Sequence, residues 1–396
     1  MTGTVAPPAP GPTTLASDPE AYRAALRAYL GSDASLDRWR NRHHRTTEER
    51  ITEHAVLMSG LHRGRWNRYG WPADAGGLGG DERHRAILYD ELSAAGLPVP
   101  EPHLMLETLG PPLVRFAPEL AAELLPRYLR GDEWWGQGFS EPEAGSDLAA
   151  LRCRARRDGE DYVVSGQKLW TSHGATATRL MCLVRTGTAE SRHRGLTMLL
   201  IDADTPGVSV RPLALASGHN ELAEVFFDDA RVPARRAVGE EGGGWTVAMY
   251  LLQFERAMYA WLSSTTALRR LRELREQVGA RSTHDGDAVR FAEVYADIVA
   301  LRARSAETVR RLASGATVGP EASIDKVLLA TAETGLHDLA RELLGGDFIL
   351  SAETHAAQWR ADWWYSRAST IMGGSAEVQR TILADHVLGL PKETSA

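Results

Sequence analysis

The sequence predicts an α+β protein: an α-helical segment, then an antiparallel β domain, then a bundle of four helices. Three observations carry that expectation. Helix-forming patterns run from about Asp18 to Arg130, strict two-residue alternation begins near Trp134, and long helical patterns return after three consecutive glycines at 242–244. A length of 396 residues is more than one core usually serves and suits two or three domains. The resulting division is a flexible tail over residues 1–17, a helical domain over 18–133, a β domain over 134–242 and a helical bundle over 243–396.

Composition narrows the possible functions. Hydrophobic residues at 43% and charged residues at 24% are those of a globular chain rather than a disordered one. A net charge of -7 gives no basic footprint for nucleic acid. The two cysteines, Cys153 and Cys182, suit a reducing, cytoplasmic setting and exclude a disulfide scaffold. No apolar run approaches the ~20 residues needed to cross a bilayer. The amino terminus, rich in Pro, Thr and Ala, lacks the basic start and apolar core of a signal peptide.

Within the first segment, residues 21–30 and 48–60 carry good helix formers, and helical patterns resume over 81–96 and 118–130. Between them, Gly70, Pro72 and the glycines at 76, 77, 79 and 80 mark a loop. In residues 151–156 apolar and charged side chains alternate, Asp158 and Gly159 supply turn chemistry, and residues 162–164 begin a returning strand. Further β-like runs lie at 180–184, 196–201, 208–213 and 224–232 with no helix between them, which predicts antiparallel pairing. Helical patterns then cover 245–279, 289–313 and 321–344; in the last, Ile324, Val327, Leu328, Ala332, Leu336, Leu339, Ala340 and Leu343 share a face and Gly345 is placed as a C-cap.

Three motifs stand in order along this framework. Residues 137–147 read Gln-Gly-Phe-Ser-Glu-Pro-Glu-Ala-Gly-Ser-Asp, residues 168–172 read Lys-Leu-Trp-Thr-Ser, and residues 373–380 read Gly-Gly-Ser-Ala-Glu-Val-Gln-Arg, followed by Val-Leu-Gly-Leu-Pro at 387–391. Alone, the first reads as a polar turn and Trp170 as a core aromatic. Together they resemble the three signatures of the acyl-CoA dehydrogenase family, over about residues 20 to 391. The resemblance implies an FAD enzyme that removes two hydrogens from an acyl thioester, on CoA or a carrier protein, and passes them to an electron-transfer flavoprotein. It implies that Ser140 and Ser172 offer hydroxyls to the flavin, that Gln137 and Phe139 add main-chain contacts, that Trp170 lies along the ring, and that Ser146 meets the substrate's pantetheine arm. It extends the cofactor site to Ser375 and Glu377, and to Gly345 and Gly346 toward the FAD of a neighbouring subunit in a homodimer or homotetramer. No nucleic acid, membrane or metal enters this expectation.

The proton next to the thioester carbonyl is weakly acidic, so a carboxylate must face the flavin across the substrate. Family members commonly carry that Glu where this chain has Gly373, preceded by Met372. A subset carries it on the first long helix after the β domain, directly before an arginine, and Glu255 followed by Arg256 stands there. Apolar neighbours would raise the pKa of Glu255 into a useful range; the competing reading pairs Glu255 with an arginine of another helix. Arg256 is expected to brace the site or meet phosphate, and Gly373 keeps the main-chain donor that polarises the thioester carbonyl. The family's Arg-x-x-Phe-Gly motif for the FAD diphosphate is missing between 268 and 303, leaving Arg269, Arg270 and Arg272 as stand-ins or as a solvated face. Two other functions stay open: a flavin-dependent oxygenase on the same fold, and a non-catalytic subunit of a heteromeric dehydrogenase.

Overall fold

The computed structural model describes residues 11–40, 42, 46–218, 220–279 and 285–391. Six helices precede the sheet: α1 (Pro12–Ser17), α2 (Pro19–Ser32), α3 (Thr47–Arg63), α4 (Glu82–Ala94), α5 (Pro102–Phe116) and α6 (Pro118–Arg130). Local chemistry sets several starts. The Asp18 carboxylate accepts from the backbone N–H groups of Glu20 and Ala21 with Pro19 at the first helical position, and Asp81 with His84 closes a capping box on α4. Tyr22, Leu26 and Leu30 then fall one turn apart and are buried.

Two expectations are corrected here. The tail is not uniformly loose: residues 12–17 form α1, whose Leu15 is buried and whose Leu15 carbonyl lies 3.0 Å from His84 Nε2, while residues 1–10 lie outside the described residues. Helix α5 occupies a stretch for which periodicity gave no helix. Pro111 and Pro112 stand inside it, where each removes a backbone donor, and both are buried. Tertiary packing of α5 against α7 overrides the local penalty.

Seven strands form one sheet among the described residues: β1 (Trp135–Gly138), β2 (Arg154–Asp158), β3 (Asp161–Ser172), β4 (Arg179–Arg185), β5 (Leu196–Asp202), β6 (Val208–Pro212) and β7 (Leu222–Pro233). The alternation over 151–156 survives as alternating burial, although the ladder itself begins at Arg154. The sheet is mixed, which corrects the antiparallel expectation: β1 runs parallel to β4, with Gln137 opposite Met181. Side-chain alternation reports which face is buried and is silent about strand direction.

Beyond Gly243 come α7 (Gly244–Val278), α8 (Asp285–Ala313), α9 (Ala322–Leu344), α10 (Gly346–Leu350), α11 (Thr354–Ser366) and α12 (Ala376–His386). Helices α7, α8 and α9 pack on one another in pairs, and the shorter α11 and α12 lie on α9. Gly244 has no room for a side chain, since a Cβ would stand 2.6 Å from the Thr197 carbonyl carbon. That close approach seats α7 on the sheet. Leu251 joins a core shared with α5, α6 and the strands; Phe254 and Met258 join a second with α2 and α4; Ala260 and Leu271 join the bundle interior. Between Leu251 and Leu271 helix α7 has no exposed residue, and a charged residue there needs a specific reason. Among the described residues no helix is long and apolar enough to cross a membrane.

Candidate active site

A cleft of about 1140 Å³ opens between the ends of β1 and β3, α5, α7, α9 and residues 364–375. Of the residues singled out from sequence, it gathers Gln137, Phe139, Ser140, Ser146, Trp170, Ser172, Glu255, Arg256, Gly373 and Ser375. Gly345, Gly346 and Glu377 are exposed and outside it; a Cβ on Gly346 would meet nothing within 4 Å.

One wall is built by joining the first two motifs. Gln137 of β1 pairs with Ser172 of β3, and the Leu169 N–H donates to the Ser140 carbonyl at 2.9 Å. Beneath them Lys168, wholly buried, donates from Nζ to Glu141 Oε1 at 2.7 Å and to the Phe139 carbonyl at 3.1 Å. Glu141 in turn accepts from the Arg152 and Cys153 backbone N–H groups at 2.6 and 2.9 Å. A buried charge needs such closed pairing, and here the pairing locks the Ser140 strand end to the Trp170 strand end. At Trp170 the backbone turns left-handed, φ 60°, at an irregularity in the β3–β7 ladder, and 54% of the side chain stays exposed. An exposed indole on a strained residue, flanked by two hydroxyls, fits a flat aromatic cofactor far better than a core position. Sequence alone left both readings of Trp170 open.

Glu255 lines the same cleft from α7. Gln137 Nε2 donates to Glu255 Oε2 at 3.3 Å, across 118 residues of chain. Burial pushes the Glu255 carboxyl above its ordinary range, with the Gln137 hydrogen bond and the positive charges of Arg256 and Lys326 pulling the other way. The apolar-surroundings argument thus gives the right sign while missing the three polar neighbours. Among the described residues no ion pair ties Glu255 to an arginine of another helix. Residues 373 and 374 are left-handed glycines, φ 70° and 95°, and a Cβ built on Gly373 would lie 2.7 Å from Glu255 Oε1 and 3.4 Å from Lys326 Cε. Arg256 reaches the same loop: its Nη2 is 3.7 Å from where a Gly374 Cβ would be, and its Nε is buried without a partner, as are both polar atoms of Gln379.

The arginines considered for a diphosphate are largely committed elsewhere. Arg269 pairs with Glu273, while Arg270 donates to Glu273 at 2.9 Å and Asp362 at 2.7 Å and lies 3.6 Å over the Trp359 ring. Arg272 is exposed. Sequence reasoning missed Lys326, which donates to the Ser369 carbonyl beside the glycines, and missed Tyr259, Glu333 and Tyr365 on the cleft walls. Tyr259 was within reach, one helical turn after Glu255; the others depend on how α9 and α11 dock.

Comparison with known proteins identifies the family. The model of the acyl-CoA dehydrogenase middle domain matches residues 136–230, and that of the acyl-CoA dehydrogenase C-terminal domain matches residues 242–388. The chain is 35% identical over 386 residues to the acyl-CoA dehydrogenase IpdE1 of Mycobacterium tuberculosis, covering 95% of this chain and 99% of that protein. Among solved structures, the Tcur3481-Tcur3483 steroid ACAD superposes with a TM-score of 0.79 at 27% identity, covering 97% of this chain and 99% of that one. The ChsE4-ChsE5 complex from Mycobacterium tuberculosis gives 0.77 at 29% identity, covering 94% and 98%.

Proposed function

The chain belongs to the acyl-CoA dehydrogenase family, and from that premise we propose that it desaturates an acyl thioester with Glu255 as the base that takes the α-proton. The carrying observation is the Glu255 carboxyl itself, which lines the cleft from α7, is hydrogen-bonded to Gln137 and is shifted upward by burial. A carboxylate whose proton affinity is raised is a stronger base than an exposed one, and flanking cations favour its ionised form. Arg256 and Lys326 supply those cations.

The remaining residues divide the work. Ser140, Trp170 and Ser172, with main chain of Gln137 and Phe139, would hold FAD. Bound there, FAD supplies the hydride acceptor at its N5. Gly373 and Gly374 present backbone N–H groups without side chains, suited to polarising the thioester carbonyl and so acidifying the α-carbon. Ser146 stands at the mouth for the pantetheine arm, whether of CoA or of a carrier protein. Gly345 and Gly346, exposed and unobstructed, suit contact with the cofactor of a second subunit. Two of the solved relatives are complexes of differently named chains, which supports a second dehydrogenase-like chain as partner; an electron-transfer flavoprotein is the fitting electron acceptor.

Anaerobic mixing of the flavin-loaded protein with acyl-CoAs tests this reading. Bleaching of the flavin absorbance, abolished in Glu255→Gln, is the expected result. Flavin that is reduced only by an added reductase, and then consumes O₂, would replace it with the oxygenase alternative.

A further inference from the structure

The cleft walls carry polar groups set among apolar ones such as Leu104, Met105, Leu262 and Leu329. Tyr259 follows Glu255 one turn along α7, and the walls also carry Arg50, Glu101, Glu221, Glu333 and Tyr365. Arg50 is already satisfied: it donates to Glu101 at 2.5 Å and to Glu221 at 2.8 Å. His173 adds its ring 3.6 Å from the same Glu101. The guanidinium is thus no receptor for a free carboxylate, because two acids hold it. An anionic acyl end would meet net negative charge. A plain alkyl chain would strip water from these groups and return no hydrogen bond, which disfavours it by about tenfold per group left unpaired.

Tyr365, in the last turn of α11, gives this end its polarity. Among the described residues its hydroxyl has no hydrogen-bond partner. Burial, with Glu221, Tyr259, Glu101 and Glu333 facing it, holds the phenol far above its usual range, so it remains a donor. Tyr259 is kept protonated in the same way. A phenol donor without an acceptor, opposite carboxyl acceptors, is complementary to a group that both accepts and donates while carrying no charge.

We propose that this end of the cleft recognises a neutral hydroxyl carried on the acyl group away from the thioester, with Tyr365 donating to its oxygen and the facing carboxylates accepting from it. The inference rests on the acyl thioester reading above and names its substrate class: an oxygenated acyl-CoA rather than a saturated hydrocarbon one. Tyr365 is then a specificity residue, distant from the proton transfer at Glu255.

The test uses the flavin-loaded protein and straight and cyclic acyl-CoAs in matched sets that carry one remote hydroxyl, a ketone at the same carbon, or neither. Calorimetric binding to the Glu255→Gln protein and kcat/KM in the wild type are both measured. At least one hydroxylated member is expected to bind and turn over about tenfold better than its deoxygenated parent, with the ketone between them. Tyr365→Phe should collapse that ratio toward one. Parents that match every hydroxylated partner, or a preference that survives Tyr365→Phe, would overturn the proposal. Because the calorimetry needs no turnover, failure of every thioester to reduce the flavin would strike the dehydrogenase reading while still reporting the hydroxyl preference.

Discussion

Glu255 and Gly373 compete for one volume: a side chain on residue 373 would begin 2.7 Å from Glu255 Oε1, inside contact distance. The carboxylate from α7 therefore occupies the space that a side chain from the loop before α12 would fill. The absence of a side chain at 373 and the carboxylate at 255 fit one another, since a side chain at 373 would displace Glu255. Lys326 closes the far side, its Cε 3.4 Å from the same point, and donates to the Ser369 carbonyl at the root of the loop.

The smallest side chain should consequently damage the site. Gly373→Ala places a methyl against the base and forces an L-residue into φ 70°, which is strained whatever the space. Flavin reduction by substrate should slow by about a hundredfold or more, as a displacement of about 1 Å at a catalytic group costs. Stopped-flow bleaching measures the rate, and the visible spectrum reports whether flavin is still bound. A rate within a factor of two of wild type would show that residue 373 and the base do not interact.

Removing the base gives a prediction with two signs. Glu255→Gln keeps the shape of the side chain and should cut the reductive half-reaction by several orders of magnitude with flavin retained. With Glu255 as the proposed base, that half-reaction should rise in rate with pH through a value above the ordinary carboxylate range and fall below it. Stability runs the other way. A carboxyl whose folded pKa is raised contributes fully below its unfolded pKa, and the contribution is lost as pH rises through the folded value. Glu255→Gln should therefore be at least as stable as wild type at pH 7. Urea midpoints at pH 4 and pH 7 decide this; a variant markedly less stable at pH 7 would mean that Arg256 and Lys326 outweigh the cost of burial.

How much of this was readable beforehand depends on range. The three motifs identified the family, and the helix–sheet–helix order follows from periodicity, because each strand or helix shows its own repeat. Gly345 was placed correctly as a C-cap, φ 51°, from its position after the last apolar residue of α9. Helix α5 was not readable, because Pro111 and Pro112 carry strong local penalties that only the contact with α7 outweighs. The parallel β1–β4 pairing, and Lys326, Glu333 and Tyr365 on the cleft, arise from docking between segments far apart in the chain, on which local pattern has no purchase.

The lock between the first two motifs can be tested away from the substrate. Lys168 is fully buried and its ammonium is the cationic partner of Glu141. Lys168→Met fills the space but leaves a buried carboxylate supported only by two backbone N–H groups, at a cost of about 3 kcal/mol. The Ser140 and Trp170 strand ends would also lose their common anchor, so flavin affinity should fall. Urea denaturation of the apoprotein and flavin titration measure the two effects. Unchanged stability with unchanged affinity would show that the Leu169–Ser140 backbone bond suffices.

His103 makes the fold acid-sensitive in a way separable from the active site. It lies in α5 with 1% of its surface exposed, both ring nitrogens are without a partner, and its ring centroid is 5.7 Å from that of Tyr89. Burial, with His54 nearby, pushes its pKa down from 6.5 to about 3. A histidine depressed in the folded state contributes stability that is complete above its unfolded pKa and is lost as pH falls toward the folded value, because the unfolded chain takes up the proton first. Between pH 7 and pH 5 this single group should lower stability by about 2 kcal/mol. His103→Leu removes the proton uptake, so its stability should fall less over that interval even if its value at pH 7 is lower. Urea unfolding of both proteins at the two pH values gives the comparison; equal losses in wild type and variant would assign the acid sensitivity to other groups, of which His337, lowered by burial in the same way, is the first to examine.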